Sequence, residues 1–166
     1  MTYWIVLGAC AIAVYTDVRD YRIPNWLTVG LATVVLGSTL LQGPVAFGLS
    51  FAVMAAVFAL GAGAFCFKML GGGDVKLAAA AAAGIGYPDV LTFLLYTALA
   101  GGALAIVVAA IRGQLPSVFS PLLYRSGGTA VAYPSGIRVP YAIAITTGVL
   151  AIGLSHIVTP LLRITP

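Results

Sequence analysis

Charged residues are scarce in this chain of 166 residues: eight are Lys or Arg, four are Asp, and there is no glutamate. They make up 7% of the sequence, whereas a soluble domain has about 25%. Apolar residues make up 61%. This composition excludes a cytosolic globular protein, a disordered segment and a coiled coil. It predicts a small polytopic membrane protein with a single domain.

Cysteine and histidine are also scarce. Cys10 and Cys66 stand singly within apolar runs, no CxxC pair occurs, and His156 has no Cys or His neighbour in the sequence. We therefore predict no metal site, no cofactor and no disulfide framework. The net charge of +4 comes from basic residues scattered singly between apolar blocks. Because nucleic-acid-binding surfaces cluster their basic residues, we expect no nucleic-acid partner.

Charged and turn-forming residues divide the apolar sequence into segments. We predict an all-α fold with about six transmembrane helices and short loops, in one membrane-embedded domain over residues 1–166. Before the last span, residues 112–138 form a longer loop. Its apolar spacing favours a helix lying on the membrane surface, whereas Pro121 favours an irregular loop. The predicted spans are 2–17, 25–41, 45–67, 75–88, 90–111 and 139–158.

The distribution of Lys and Arg predicts the orientation of these spans. If the loop after the first span is cytoplasmic, seven of the eight Lys and Arg residues lie on the cytoplasmic side, and only Arg163 lies outside. Positive residues are enriched in cytoplasmic loops of membrane proteins. The pattern therefore predicts that both ends of the chain are extracytoplasmic.

The four carboxylates are Asp17, Asp20, Asp74 and Asp89. Asp89 falls in an outer turn, and Asp20 lies between two arginines in a stretch that we expect to be solvated. Asp17 and Asp74 fall at the cytoplasmic ends of helices that are distant in the sequence. Two carboxylates that share one proton are the catalytic groups of an aspartic protease. Because close carboxylates repel, we expect this pair to face one cavity without hydrogen-bond contact when no substrate is bound.

Three glycines precede Asp74. Gly71–Gly73 can leave helical φ/ψ without a side-chain clash, which predicts an irregular turn where an extended peptide approaches the carboxylate. Lys68 and Lys76 lie on either side of this turn. They are candidates for holding a peptide or lowering a carboxylate pKa, and equally for simple positive-inside anchors.

The residues around both carboxylates resemble the motifs of the type IV prepilin peptidases, which belong to the membrane aspartic proteases with a GxGD motif. The first motif is D-x5-IPN, which runs from Asp17 to Pro24 and Asn25, and the second is GGGDVKL over residues 71–77. Asn25 is also the predicted N-cap of the second helix. Residues 139–144 are similar to the family's Pro-Tyr segment at the start of its last helix.

The resemblance implies a membrane aspartic endopeptidase with Asp17 and Asp74 as catalytic residues and Gly71 and Gly73 as motif glycines. Its partner would be a prepilin-like precursor with a basic leader and an apolar helix, cleaved at the cytoplasmic side of a bacterial or archaeal membrane. The chain begins at its first span and has no CxxC region. It therefore resembles the short, peptidase-only branch that serves Flp/Tad-type pili, or an archaeal preflagellin peptidase, and N-methylation is not expected.

Two other classes of protein remain open at this point. A small ion- or proton-coupled transporter also uses membrane carboxylates, although transporter sites lie near the middle of the bilayer and these aspartates lie at helix ends. A non-catalytic subunit of a pilus or secretion machine would have the same hydropathy. Only a measurement of activity separates it from an enzyme.

Overall fold

The computed structural model describes residues 2–20, 22–67, 70–111 and 141–162, except for the side chains of 109 and 157–162. Within these residues every regular element is a helix, which confirms the all-α prediction. The predictions made for Lys68 and for the loop 112–138 lie outside the described residues. The helices are α1 (Thr2–Asp20), α2 (Asn25–Leu40), α3 (Pro44–Cys66), α4 (Gly72–Ile85), α5 (Val90–Ile111) and α6 (Tyr141–Leu162).

The helix bounds differ from the predicted spans where the carboxylates lie. α1 continues past Asp17 to Asp20, so that Asp17 lies about one turn inside the helix and does not end it. α4 begins at Gly72, three residues before the predicted span. A charged side chain ends an apolar run but not the backbone hydrogen bonds of a helix. The apolar run therefore misses the last residues of α1 and the first residues of α4.

α3 and α5 lie at the periphery of the bundle. By length and composition, Pro44–Cys66 and Val90–Val108 are long and apolar enough to cross a membrane, while α2 and α6 contain shorter apolar stretches. Large apolar side chains on α3 and α5, such as Leu60, Leu95 and Leu99, are exposed on the surface of the bundle. Lipid tails are as apolar as these side chains, so a bilayer would solvate them.

α4 lies at the centre and packs against each of the other five described helices. Its consecutive alanines, Ala79–Ala83, are at most 2% exposed. A side chain that ends at Cβ lets neighbouring helices approach closely on every side. Gly84 extends this small surface, and the space beside it is filled by Val6 of α1 and Val35 of α2. The short alanine-rich segment is therefore the core of the fold.

The helices meet at two ends of the bundle. The C-terminal turns of α1 and the N-terminal turns of α2, α4 and α6 form one end, which we call the motif end because both sequence motifs lie there. The opposite end contains the N-terminus of α1, where the Tyr3 hydroxyl donates a hydrogen bond of 2.9 Å to the Val149 carbonyl of α6. This arrangement brings residues from four helices together around the motifs.

Candidate active site

Asp17 lies at the motif end and is 7% exposed. Its Oδ2 accepts a hydrogen bond of 3.2 Å from the backbone N–H of Ala142, in the first turn of α6. The N-terminus of a helix carries unpaired N–H groups and a partial positive charge, both of which stabilise a carboxylate. The position and charge of Asp17 are therefore supported by a helix from the far end of the chain.

Asp74 lies in the first turn of α4, and its Oδ2 accepts a hydrogen bond of 3.2 Å from the backbone N–H of Gly71. This bond folds the carboxylate back over the helix N-terminus, so that a Cβ at Gly71 would lie only 2.7 Å from Oδ2. Gly71 has φ −76° and ψ 147°, an extended conformation that other residues also adopt. A side chain at this position would therefore displace the Asp74 carboxylate.

The expectation of an irregular turn over Gly71–Gly73 is wrong beyond its first residue. Gly72 and Gly73 belong to α4, and neither has a positive φ. A carboxylate that accepts a backbone N–H at the start of a helix stabilises the first turn, and the helix consequently starts before Asp74. The Asp74 side chain is thus carried by regular helix.

The two carboxyl groups are electrostatically coupled. Asp74 lies just before the predicted span 75–88. The pKa of its carboxyl is raised to about 7, mainly by burial and to a smaller extent by the nearby Asp17 carboxylate. Among the described residues each carboxylate accepts its hydrogen bond from the backbone, and none joins the two groups directly. The Asp74 carboxyl therefore keeps a proton at pH values where an ordinary aspartate is ionised.

Tyr141 is a third member of this cluster. It is the first residue of α6, and it lies close enough to Asp74 to interact with the charge of its carboxylate. Its ring packs over Gly101 of α5, where a Cβ would approach the ring to 3.2 Å. Sequence reasoning gave Tyr141 no role, although the Pro-Tyr segment before the last helix was a usable signal.

The two sequence motifs pack directly against each other. A Cβ at Gly73 would lie 3.1 Å from the Cβ of Ile23, and the Lys76 Nζ donates a hydrogen bond of 3.0 Å to Asn25 Oδ1. The prediction that Asn25 is the N-cap of α2 is wrong. Pro24 occupies that position, and Asn25 is the first helical residue. The Asn25 side chain is directed to α4 instead of its own helix.

The sequence of this chain matches a known protein family. The sequence model described as the type IV leader peptidase family matches residues 4–106, more than half of the chain, including both motifs. This chain belongs to the type IV leader peptidase family. No curated protein and no solved structure matches it. Family membership makes it a leader-peptidase-like protease with a prepilin-like substrate in general, and disfavours the transporter that composition left open.

The other two carboxylates of this leader peptidase, Asp20 and Asp89, lie outside the cluster of Asp17, Asp74 and Tyr141. Asp20 is exposed and lines a wide cavity of about 880 Å³ with Arg22 and Asn25. Asp89 lies at the opposite end of the bundle, 2.7 Å from His156 Nε2.

Together with the family assignment, the two long apolar helices indicate a membrane location. Among the described residues, no group of three or more His, Cys, Asp or Glu could hold a metal ion.

Proposed function

We propose that this leader peptidase is an aspartic endopeptidase that removes the leader from type IV prepilin-like precursors of the Flp/Tad kind, with Asp17 and Asp74 as its catalytic pair. The supporting observation is the electrostatic interaction of these two carboxyl groups, which come from different helices. Asp20 is exposed, and Asp89 lies at the other end of the bundle. Of the chain's four carboxylates, Asp17 is buried and Asp74 is half-buried, and these two interact with each other.

The surroundings of each carboxyl suggest its role. The backbone N–H of Ala142, at the N-terminus of α6, bonds to the Asp17 carboxylate. Since Asp74 is assigned the proton of the pair, Asp17 acts as the general base. Asp74, with a pKa of about 7, retains a proton and acts as the general acid. Asp17 takes a proton from water as the water oxygen attacks the scissile carbonyl. Asp74 gives its proton to the carbonyl oxygen, which forms a gem-diol. As the C–N bond breaks, Asp17 returns a proton to the departing amine, and a hydroxyl of the gem-diol gives its proton back to Asp74.

The contacts between the motifs support this pair. Ile23 against Gly73 and Asn25 against Lys76 hold the first turn of α4 next to the segment that follows α1. Lys76 bonds to Asn25 and to neither carboxylate, which favours a role in positioning over a direct effect on the carboxylate pKa values. Small displacements of catalytic groups are costly, since about 1 Å can lower a rate by about 10²-fold.

The charge distribution supports a multi-pass protein with its motif end at the cytoplasmic face. The basic leader of a precursor would then meet the catalytic pair at the interface, while its apolar helix stays in the bilayer. This orientation is tested by single cysteines in a chain without Cys10 and Cys66. Cysteine at Gln42 should react with an impermeant reagent added from outside, and cysteine at Arg22 should be protected. The reverse pattern would overturn the orientation.

The decisive experiment is cleavage of a prepilin precursor by the protein in proteoliposomes. Asp17→Asn and Asp74→Asn should each lower the rate by about 10²–10⁴-fold, because each removes half of an acid–base pair. Asp20→Asn is the matched control from the same end of the bundle and should retain activity. An inactive Asp20→Asn beside an active Asp17→Asn would show that the pair is wrongly assigned. An inactive wild-type protein would favour the non-catalytic assembly subunit.

A further inference from the structure

A groove of about 320 Å³ lies between α2, α3 and α4, away from the carboxylate pair. Alanine and phenylalanine side chains dominate its wall, among them Ala32 of α2 and Phe51, Ala55 and Phe58 of α3. Lys76, in the second turn of α4, is its only charged lining residue. The groove is therefore apolar along its length and positively charged where it reaches the motif end.

The charge of Lys76 is not neutralised by the surrounding protein. Its ammonium group donates one hydrogen bond, to the neutral side-chain oxygen of Asn25. Among the described residues, no carboxylate lies within ion-pair distance of it. An ammonium group has three donors, so the bond to Asn25 leaves two. A cation with spare donors at the mouth of an apolar groove suits a ligand that has an anionic head and an apolar tail.

We propose that this groove binds one acyl chain of an anionic phospholipid, whose phosphate is held by the Lys76 ammonium group. Basic pockets between transmembrane helices on the cytoplasmic side bind anionic lipid headgroups. The proposal rests on the orientation proposed above, which places Lys76 at the cytoplasmic face. It does not depend on the catalytic pair.

Charge complementarity favours a lipid over the substrate's own helix. The leader of the proposed precursor is basic and would lie at the cytoplasmic face, beside Lys76, where like charges repel. A phosphate headgroup at the same position would neutralise Lys76 and remove its repulsion of the leader. The same site thus predicts that anionic lipid assists the approach of the substrate.

Native mass spectrometry of the purified full chain tests the site with phosphatidylglycerol and phosphatidylcholine of identical acyl chains. The wild-type protein should retain phosphatidylglycerol about fivefold better, the preference expected from one basic residue at the lipid headgroup. Lys76→Gln removes the charge, and Ala55→Leu fills the groove. Each should abolish the preference. Ala56→Leu alters the next exposed residue of α3, outside the groove, and should keep it.

Arg19→Gln is the control for a general surface charge, because Arg19 is exposed at the same end of the bundle and bonds to Tyr15. Equal retention of the two lipids by the wild type, or an equal effect of Arg19→Gln and Lys76→Gln, would overturn the proposal. Displacement of the lipid by a precursor peptide would assign the groove to the substrate, and displacement by millimolar inorganic phosphate would assign it to a free anion. Asp74→Asn should keep the lipid preference, so failure of the catalytic proposal is recognised separately.

Discussion

The motif end and the opposite end of the bundle are joined by different kinds of contact. At the motif end, polar groups connect segments that are distant in the sequence: Ala142 donates to Asp17, and Lys76 donates to Asn25. Directional bonds of this kind fix the position of one group relative to another. The contacts of the motif end therefore fix the relative positions of specific groups, at the expense of burying the Asp17 carboxylate.

At the opposite end the helices are joined by close packing around glycines and by the hydrogen bond from Tyr3 to Val149. Val6 fills the space beside Gly84, and the ring of Tyr3 covers Gly153. Asp89 and His156 form an ion pair there, but both side chains are substantially exposed. This end holds the helices together without arranging reactive groups. Substitutions at the two ends should therefore change different measurements, and the following predictions run from the largest expected effect to the smallest.

Gly71→Ala should have the largest effect of the glycine substitutions, and it should act on cleavage. The added Cβ would lie 2.7 Å from Asp74 Oδ2 and push the carboxylate out of its position. We expect the rate of precursor cleavage to fall by about 10²-fold, as for other displaced catalytic groups. Gly72→Ala is the matched control, since its Cβ would make only ordinary contacts with the Phe65 ring. Equal rates in the two variants would contradict the role of Gly71.

Gly84→Ala tests the opposite end of the same helix. Its Cβ would lie 2.5 Å from Val6 Cγ2 and 3.2 Å from Val35 Cγ2, so neighbouring helices must separate. Overpacking of this kind lowers the free energy of unfolding by about 1–3 kcal/mol. Thermal unfolding in detergent should show the loss, while the folded fraction cleaves precursor at the wild-type rate. A loss of specific activity without a loss of stability would reverse the comparison.

The half-buried Asp74 predicts how stability changes with pH. Its carboxyl has a pKa of about 7 in the folded protein, against about 3.9 in an unfolded chain. The folded state consequently binds more protons between these values, and stability falls as the pH rises from about 4 through about 7. Asp74→Asn should remove this fall, so its melting temperature should exceed that of the wild type most clearly above about pH 7.

Asp20→Asn is the control for the pH experiment, because its side chain is exposed. Its melting temperature should follow that of the wild type across the same range. If the Asp74→Asn and wild-type curves run parallel from acid to neutral pH, the carboxyl is not buried as described.

The smallest effect is expected from His156→Gln. The ion pair with Asp89 is exposed, and such pairs contribute less than about 1 kcal/mol. The variant should unfold within about 2–4 °C of the wild type, the shift that corresponds to about 1 kcal/mol in a domain of this size, and its cleavage rate should be unchanged. A large loss of cleavage would mean that the opposite end takes part in catalysis.

The hydropathy pattern predicted the all-α fold well, because apolar runs as long as those of α3 and α5 are typical of membrane-spanning helices. It could not predict which helix is central. α4 is short and alanine-rich, so its hydropathy is unremarkable, yet Ala79–Ala83 are buried by five neighbouring helices. Centrality depends on how closely neighbours approach, and that is a property of small side chains in three dimensions.

Sequence reasoning selected Asp17 and Asp74, and in the structure the two carboxyl groups lie near enough to interact electrostatically. It did not find the contacts that hold them. The bond between Lys76 and Asn25 joins residues 51 positions apart, and a single sequence contains no signal for such a distance. It also interpreted the motif glycines as flexible, whereas the structure shows that a Cβ at Gly71 would press against Asp74 and a Cβ at Gly73 would press against Ile23.

The buried alanine run of α4 has a consequence for genetic studies of this protein. At Ala81–Ala83, which are at most 1% exposed, every substitution except glycine adds volume to a position enclosed by neighbouring helices. A saturation scan scored by growth or pilus assembly should therefore find these chemically inert positions as intolerant as the aspartates. A ranking of residues by tolerance alone would not distinguish residues needed for folding from residues needed for catalysis. Measuring protein abundance beside activity for each variant would separate the two groups.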